Sequence, residues 1–282
     1  MDNSRVQIIM PVYNAEKYLG RSLDSLVNQT FKDWRVIIVD DASNDSSREI
    51  IETYASRDSR FTKVFLSENG GASNARNTAL GCLSYECEYT AFLDADDYWE
   101  PDMLQHMVQV ASEKDTDVTQ CRFIYDFPGG KQVLPVGAFR KSVNLYGKGL
   151  RKVYRRMMTG INMNHVCMKL IKTQLLEGMK FDMELKTAED LKFCVQLFKK
   201  VKSYCFTDKV LYHYCRNEES LTGRGLAFGA KMSANRKVSR ELCAALPDWG
   251  IDNIFYRLLS LSRPYIITVS KVFRIIREKF LK

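Results

Sequence analysis

Four short apolar runs, each closed by a polar turn and separated from the next by helically spaced residues, leave this chain little choice of fold. Val6–Met10 ends at Pro11, Val36–Val39 at Asp40-Asp41, Val64–Leu66 before Gly70-Gly71, and Tyr89–Leu93 at Asp94-Ala95-Asp96-Asp97. Between them, Leu19, Leu23, Leu26 and Val27 recur at helical spacing, and Asp45-Ser46-Ser47 opens a helix through Ile50, Ile51 and Tyr54. Asp45 is the expected N-cap of that helix. A third helix runs through Ala75, Ala79 and Leu83, and Pro101 suits the first turn of a fourth through Leu104, Met107 and Val108. Apolar strands alternating with such helices predict an α/β fold with a parallel sheet wrapped by helices. Ligands of these sheets bind beyond the carboxyl ends of the strands, which is where the carboxylates gather.

After Asp117 the pattern changes. Val118–Tyr125 and Lys131–Val136 flank Pro128-Gly129-Gly130, a hairpin signal, and Val166–Ile171, Tyr204–Phe206 and Val210–Tyr214 read as further strands. Ala188–Phe198 reads as a short helix opening at Glu189-Asp190, and the chain beyond Gly225 reads as helices. Eight dispersed cysteines without a Cys-x-x-Cys pair are expected to be buried small hydrophobes in a reducing compartment.

Charge separates the chain into two parts. The net charge is +8, yet residues 1–222 hold 30 basic and 30 acidic side chains, whereas residues 223–282 hold 12 and 4. A neutral body with a basic tail argues against a nucleic-acid binder and for an anionic surface met by the tail. Neither a signal peptide nor an apolar run of roughly 18 residues is visible, so a cytoplasmic protein is expected.

Several clusters carry chemistry. The carboxylates of Asp94-Ala95-Asp96-Asp97 are hard oxygen ligands suited to a divalent cation shared with phosphate oxygens, and a metal so placed stabilises a leaving diphosphate. Asp40-Asp41 stands at the topological position where a carboxylate reads a base or ribose. No Gly-x-Gly-x-x-Gly follows the first strand; Pro11-Val12-Tyr13-Asn14 stands there instead, with Tyr13 as an aromatic face for a base. Gly70-Gly71 through Arg76 and Asn77 could present backbone N–H groups and an arginine to phosphate, or be an ordinary helix start. Glu189-Asp190 reads either as a capping pair or as a carboxylate that takes a proton from a hydroxyl. His213, in Tyr212-His213-Tyr214-Cys215-Arg216, is either a packed strand residue or an extra metal ligand, and Arg216 is a candidate phosphate contact. His106 and His165 have no partners at metal spacing.

Taken in order, these segments resemble the family 2 glycosyltransferases. The resemblance runs over roughly residues 5 to 222 and rests on Ile9-Met10-Pro11-Val12-Tyr13-Asn14, Ser25-Leu26-Val27-Asn28-Gln29-Thr30, Ile38-Val39-Asp40-Asp41-Ala42-Ser43, Asn69-Gly70-Gly71 through Asn77, Phe92-Leu93-Asp94-Ala95-Asp96-Asp97, Cys167-Met168-Lys169-Leu170, Glu189-Asp190 and the stretch from His213 to Thr222. It implies a GT-A fold: a Rossmann-like nucleotide-binding half (1–117) and an acceptor half (118–222) on a mixed central sheet; the basic helical C-terminal extension (223–282) lies outside the resemblance. It also implies an inverting, metal-dependent enzyme (Mn²⁺ or Mg²⁺) that uses a nucleotide-diphosphate sugar, commonly with uracil as the base. By that resemblance Pro11, Tyr13, Asp40, Asp41, Arg76, Asp94 and Arg216 serve the nucleotide. Asp96 or Asp97, with His213, serves the metal. Asp190 is the general base, and Glu189 lies beside the acceptor. The segment Pro128–Asn164, where the acceptor would be met, has no readable motif.

The implied product belongs to surface polysaccharide, lipopolysaccharide or glycolipid synthesis, with a glycan or lipid-linked acceptor. Two other readings stay open: a nucleotidyltransferase, and a catalytically silent sugar-nucleotide or glycan-binding module. In the tail, Tyr265, Val269, Val272, Phe273, Ile276 and Phe280 share one helical arc, opposite Lys271, Arg274 and Arg277. That pattern suits a peripheral contact with an anionic inner leaflet or a helix packed on the body.

Overall fold

The computed structural model describes residues 4–159, 162–216 and 228–265. β1 (Val6–Val12), β2 (Trp34–Asp40), β3 (Phe61–Phe65) and β4 (Tyr89–Phe92) are parallel, linked by α1 (Glu16–Val27), α2 (Ser47–Arg57) and α3 (Ala72–Gly81). Their order in the sheet is β3-β2-β1-β4, so the chain turns from one side of β1 to the other. A reversal of that kind opens a crevice at the strands' carboxyl ends. Ile8, Ile9, Val36 and Ile38 are fully buried, because helices cover both faces and a parallel sheet leaves its strands no wet side. The alternation expected from the sequence is present.

The second half makes the sheet mixed. β5 (Tyr98–Trp99) and α4 (Met103–Lys114) lead to β6 (Val118–Asp126), which pairs with the short β7 (Gln132–Val133). β8 (Val143–Tyr146), α5 (Arg151–Thr159), β9 (Lys169–Lys172), α6 (Glu189–Lys200), β10 (Ser203–Cys215) and α7 (Phe228–Ala245) follow. β9 runs antiparallel between β4 and β6, and β10 lies parallel to β6. The sheet continues as β4-β9-β6-β10-β5, with β7 and β8 at its margins. Residues 254–265 form a further helix.

Several expectations change in detail. Tyr204–Phe206 and Val210–Tyr214 are one strand, β10, whose pairing with β6 shifts register between Phe206 and Tyr212. Such a bulge bends a strand without ending it. The strand expected over 166–171 begins only at Lys169, because residues 162–168 are looped toward the crevice. Asp45 bonds the Ser47 amide of α2 and the Glu16 amide of α1, joining two helix starts rather than capping one. Six cysteines are buried as expected, but Cys82 is exposed and Cys243 half-buried; all eight are free thiols.

No helix among the described residues is long and apolar enough to cross a membrane. Ser220, Thr222, the boundary at 222/223 and residues 266–282, including the expected amphipathic arc, lie outside the described residues.

Candidate functional site

The turn after β4, the helix α3 and the start of α6 meet in one charged cluster. Arg76, on α3 and only 5% exposed, donates to Asp94 Oδ1 at 2.8 Å and Asp190 Oδ1 at 3.2 Å, and lies 3.6 Å from Glu189 Oε1. Its guanidinium also lies 5.3 Å from the centre of the Phe181 ring. The other oxygen of Asp94 accepts from the Cys167 thiol at 3.2 Å, and Asp190 Oδ2 accepts the Val166 amide at 3.4 Å. Three carboxylates around one buried guanidinium are mutually repulsive unless that cation stays charged, and the geometry holds it so. The surrounding negative charges raise Arg76 well above its ordinary value against the opposing effect of burial. Ala188, just before the pair, has φ of +64°, a left-handed conformation that alanine seldom adopts. Strain of this kind concentrates where geometry serves function.

Burial, then the negative charge of Asp190, pushes Glu189 up to about 7, against the pull of Arg76. A carboxyl whose folded pKa exceeds its unfolded value stabilises the fold fully below about pH 4.5 and loses that contribution as pH rises through about 7. Glu189→Gln is therefore expected to flatten the decline in stability across this window, read as urea midpoints at several pH values. A parallel decline in both proteins would remove Glu189 as its source.

Asp97 is 2% exposed. Tyr212 O–H donates to its Oδ2 at 2.6 Å and the Cys215 amide to its Oδ1 at 2.8 Å. Burial, with the charges of Asp96 and Asp94, pushes its pKa well above the usual carboxylate range. Asp96 is half-buried at the same turn, its carbonyl accepting from Arg21 at 3.1 Å.

At the end of β2, Asp40 Oδ1 accepts from Arg48 at 2.7 Å and from the Ser43 amide at 3.1 Å, while its buried Oδ2 has no partner. Asp41 takes the Gly70 amide at 3.0 Å and the Gly71 amide at 2.6 Å. Gly71 sits at φ +85°, so glycine is required there. The expectation that these amides face phosphate is not met in this arrangement, because Asp41 occupies them. Tyr13 stands 47% exposed beside Pro11 at the end of β1, an open ring at the mouth of the crevice.

His213 departs from the expected metal position. Its Nδ1 lies 2.9 Å from Asp126 and its Nε2 2.8 Å from Glu100, and its ring stacks on Tyr98 at 4.2 Å. Both of its ring nitrogens face carboxylates in this arrangement. Arg216 lies 4.7 Å from the Tyr125 ring centre and 5.2 Å from that of Tyr214. Arg76, expected near phosphates, instead faces the carboxylates.

Residues 163–169 add groups that spacing alone does not single out. Lys169, fully buried on β9, donates to the carbonyls of Met163 (3.0 Å) and His165. It thereby fixes the loop that presents Val166 to Asp190. The His165 imidazole feels the charges of Asp190, Asp94 and Arg216, while burial lowers its pKa.

Among the described residues no three His, Cys, Asp or Glu side chains converge as a metal cage. One half-buried carboxylate, that of Asp96, is hard oxygen chemistry and fits a cation whose remaining ligands come from a diphosphate and water. Asp97 joins it only if Tyr212 and Cys215 release it.

Residues 7–179 match the family model described as Glycosyl transferase family 2. The uncharacterized glycosyltransferase EpsJ of Bacillus subtilis is 32% identical over 219 residues, 77% of this chain and 62% of its own length. The poly(ribitol-phosphate) beta-glucosyltransferase of Bacillus spizizenii is 28% identical over 223 residues, 74% of this chain and 32% of its own. This chain therefore spans less than two thirds of these relatives. The crystal structure of S. aureus TarS 1-349 in complex with UDP-GlcNAc superposes with a TM-score of 0.70 at 25% identity, covering 84% of this chain and 66% of that one.

Proposed function

Because the chain belongs to the family 2 glycosyltransferases, we propose that it moves a sugar from a nucleotide-diphosphate donor, UDP-linked, to an acceptor hydroxyl in surface polysaccharide, lipopolysaccharide or glycolipid synthesis, with inversion at the anomeric carbon. The observation that carries this reading is the cluster joining Arg76, Asp94, Glu189 and Asp190 at the mouth of the switch-point crevice. The TarS neighbour holding UDP-GlcNAc supports the donor class. The glucosyltransferase relative, named for a poly(ribitol-phosphate) acceptor, supports a cell-envelope polymer as product.

In this mechanism Tyr13 faces the base, with Asp40 and Asp41 holding the wall of its pocket, and Asp94 lies on the ribose side. Asp190, oriented by Arg76 and by the Val166 amide, accepts the proton of the acceptor hydroxyl. The oxygen then attacks C1 as the bond from C1 to the β-phosphate oxygen breaks. The sugar departs to the acceptor and the nucleoside diphosphate leaves with the electron pair. A single displacement from the face opposite the leaving group inverts C1. A Mn²⁺ or Mg²⁺ ion held through Asp96, and Asp97 if freed, would neutralise the charge gathering on the diphosphate. In this reading Arg216 would meet that charge as well. Residues 1–117 act as the donor half and 118–222 as the acceptor half in a cytoplasmic enzyme.

A panel of nucleotide sugars read by thermal shift, with Mn²⁺ and after chelation, tests this directly. A UDP-sugar is expected to stabilise the protein by at least about 2.7 kcal/mol when present at 100 times its Kd, and chelation is expected to remove most of that gain. The same stabilisation by GDP- or CDP-sugars would displace the uracil assignment. Undiminished stabilisation after chelation would displace the metal.

A further inference from the structure

The helix over 254–265 is packed on one side and, among the described residues, carries an uncovered row of large apolar side chains on the other. Tyr256, Ser260 and Arg263 are buried and Leu259 is packed on the core. The buried side is tied to α5, where Arg155 Nε donates to the Tyr256 hydroxyl at 2.6 Å and Arg263 Nε to the Met157 carbonyl at 3.3 Å. Arg263 also reaches Asn235 on α7 at 2.8 Å. These positions recur at three- and four-residue spacing, which defines the inward face.

Ile254, Leu258, Leu261 and Tyr265 recur at the same spacing half a turn away, with Phe255 beside them. Their exposures are 72%, 60%, 51% and 56%, and 62% for Phe255. A contiguous patch of large apolar side chains left exposed marks a contact surface.

The charge beside the patch indicates what covers it. Arg151 and Arg155 line a recess of about 330 Å³ with Asp252, Asn253 and Tyr256 at the foot of the helix, where Asp252 is paired with Arg257. Lys148 and Lys152 are exposed on the same basic segment. The 17 residues that follow the helix, 266–282, contribute five basic side chains against one acidic. An apolar stripe flanked by a basic field is complementary to an anionic bilayer interface, into which the side chains insert while the cations meet headgroup phosphates.

We propose that the outward face of helix 254–265 docks on an anionic lipid surface, with Ile254, Phe255, Leu258, Leu261 and Tyr265 inserting and Arg151, beside the exposed Lys148 and Lys152, meeting the phosphates. The proposal extends the reading of a lipid-borne acceptor. Its test reads vesicle binding, so its failure and failure of sugar transfer are told apart.

The full chain is mixed with vesicles of phosphatidylcholine alone or with phosphatidylglycerol added, and the bound fraction is measured by flotation. Binding is expected only with the anionic lipid. Leu258→Glu with Leu261→Glu is expected to weaken it about tenfold or more, and Arg151→Glu about fivefold. Nucleoside diphosphate release from a soluble donor stays at the parental rate in both variants. Sedimentation of the same proteins gives the oligomeric state. Parental vesicle binding by the Leu258/Leu261 variant would overturn the proposal. So would equal binding to both vesicle types, or a dimer that those substitutions disperse in a protein that ignores lipid.

Discussion

Asp190→Asn is expected to lower the turnover of sugar transfer by about 10²–10⁴-fold, the range that positioned proton transfer contributes. The affinity for UDP and for the intact nucleotide sugar should change by less than about threefold, since the proposed base touches neither base nor ribose. The substitution nearly preserves shape. An amide still offers Arg76 one acceptor oxygen, but it cannot take a proton from a hydroxyl at neutral pH. A merely structural Asp190 would behave differently, because loss of its bonds to Arg76 and Val166 would disturb Asp94 and weaken donor binding along with turnover. Single-turnover transfer measured beside donor titration separates these cases. Parental turnover in the variant would show that Asp190 is not the base.

Arg76→Met should have the larger effect on the fold. The side chain neutralises Asp94, Asp190 and Glu189 at once from a position almost without solvent. Removing one partner of a buried ionic group typically costs about 3–5 kcal/mol, because the charges left behind are uncompensated. The loss should be greatest at neutral pH and smaller near pH 5, where the stranded carboxylates can take up protons. Arg76→Lys should recover only part of it, since an ammonium cannot reach several carboxylates with the fork of a guanidinium. Urea unfolding of the three proteins at both pH values measures this. A pH-independent loss would place the cost in packing against Phe181 rather than in charge.

The parallel half of the sheet was legible because its strands are continuous apolar runs, a pattern that burial on both faces imposes. The acidic turns were legible because strand ends in such a sheet are also ligand-facing ends. What escaped the sequence depends on pairings across long stretches of chain. Arg76 meets Asp190 114 residues away, and Asp97 meets Cys215 across 118. No local spacing encodes either contact.

His213 shows the same limit from the other direction. Its sequence left it either a packed strand residue or a metal ligand, and only the fold shows Asp126 and Glu100, 87 and 113 residues distant, at its two nitrogens. β5 is two residues long and exists only by pairing with β10. Lys169 stands in a segment of the family resemblance, but nothing in its spacing says what it holds. Its function becomes visible only when the carbonyls of Met163 and His165 are seen around its ammonium.

In the proposed reaction the crevice releases a nucleoside diphosphate through an Asp190-assisted displacement. The most direct measurement incubates the full chain with a panel of UDP-, GDP- and CDP-sugars and Mn²⁺, and separates the nucleotide products by anion exchange. The account predicts UDP from a UDP-sugar, absent in the Asp190→Asn protein. Release of pyrophosphate, or equal UDP from the parent and the variant, would contradict it.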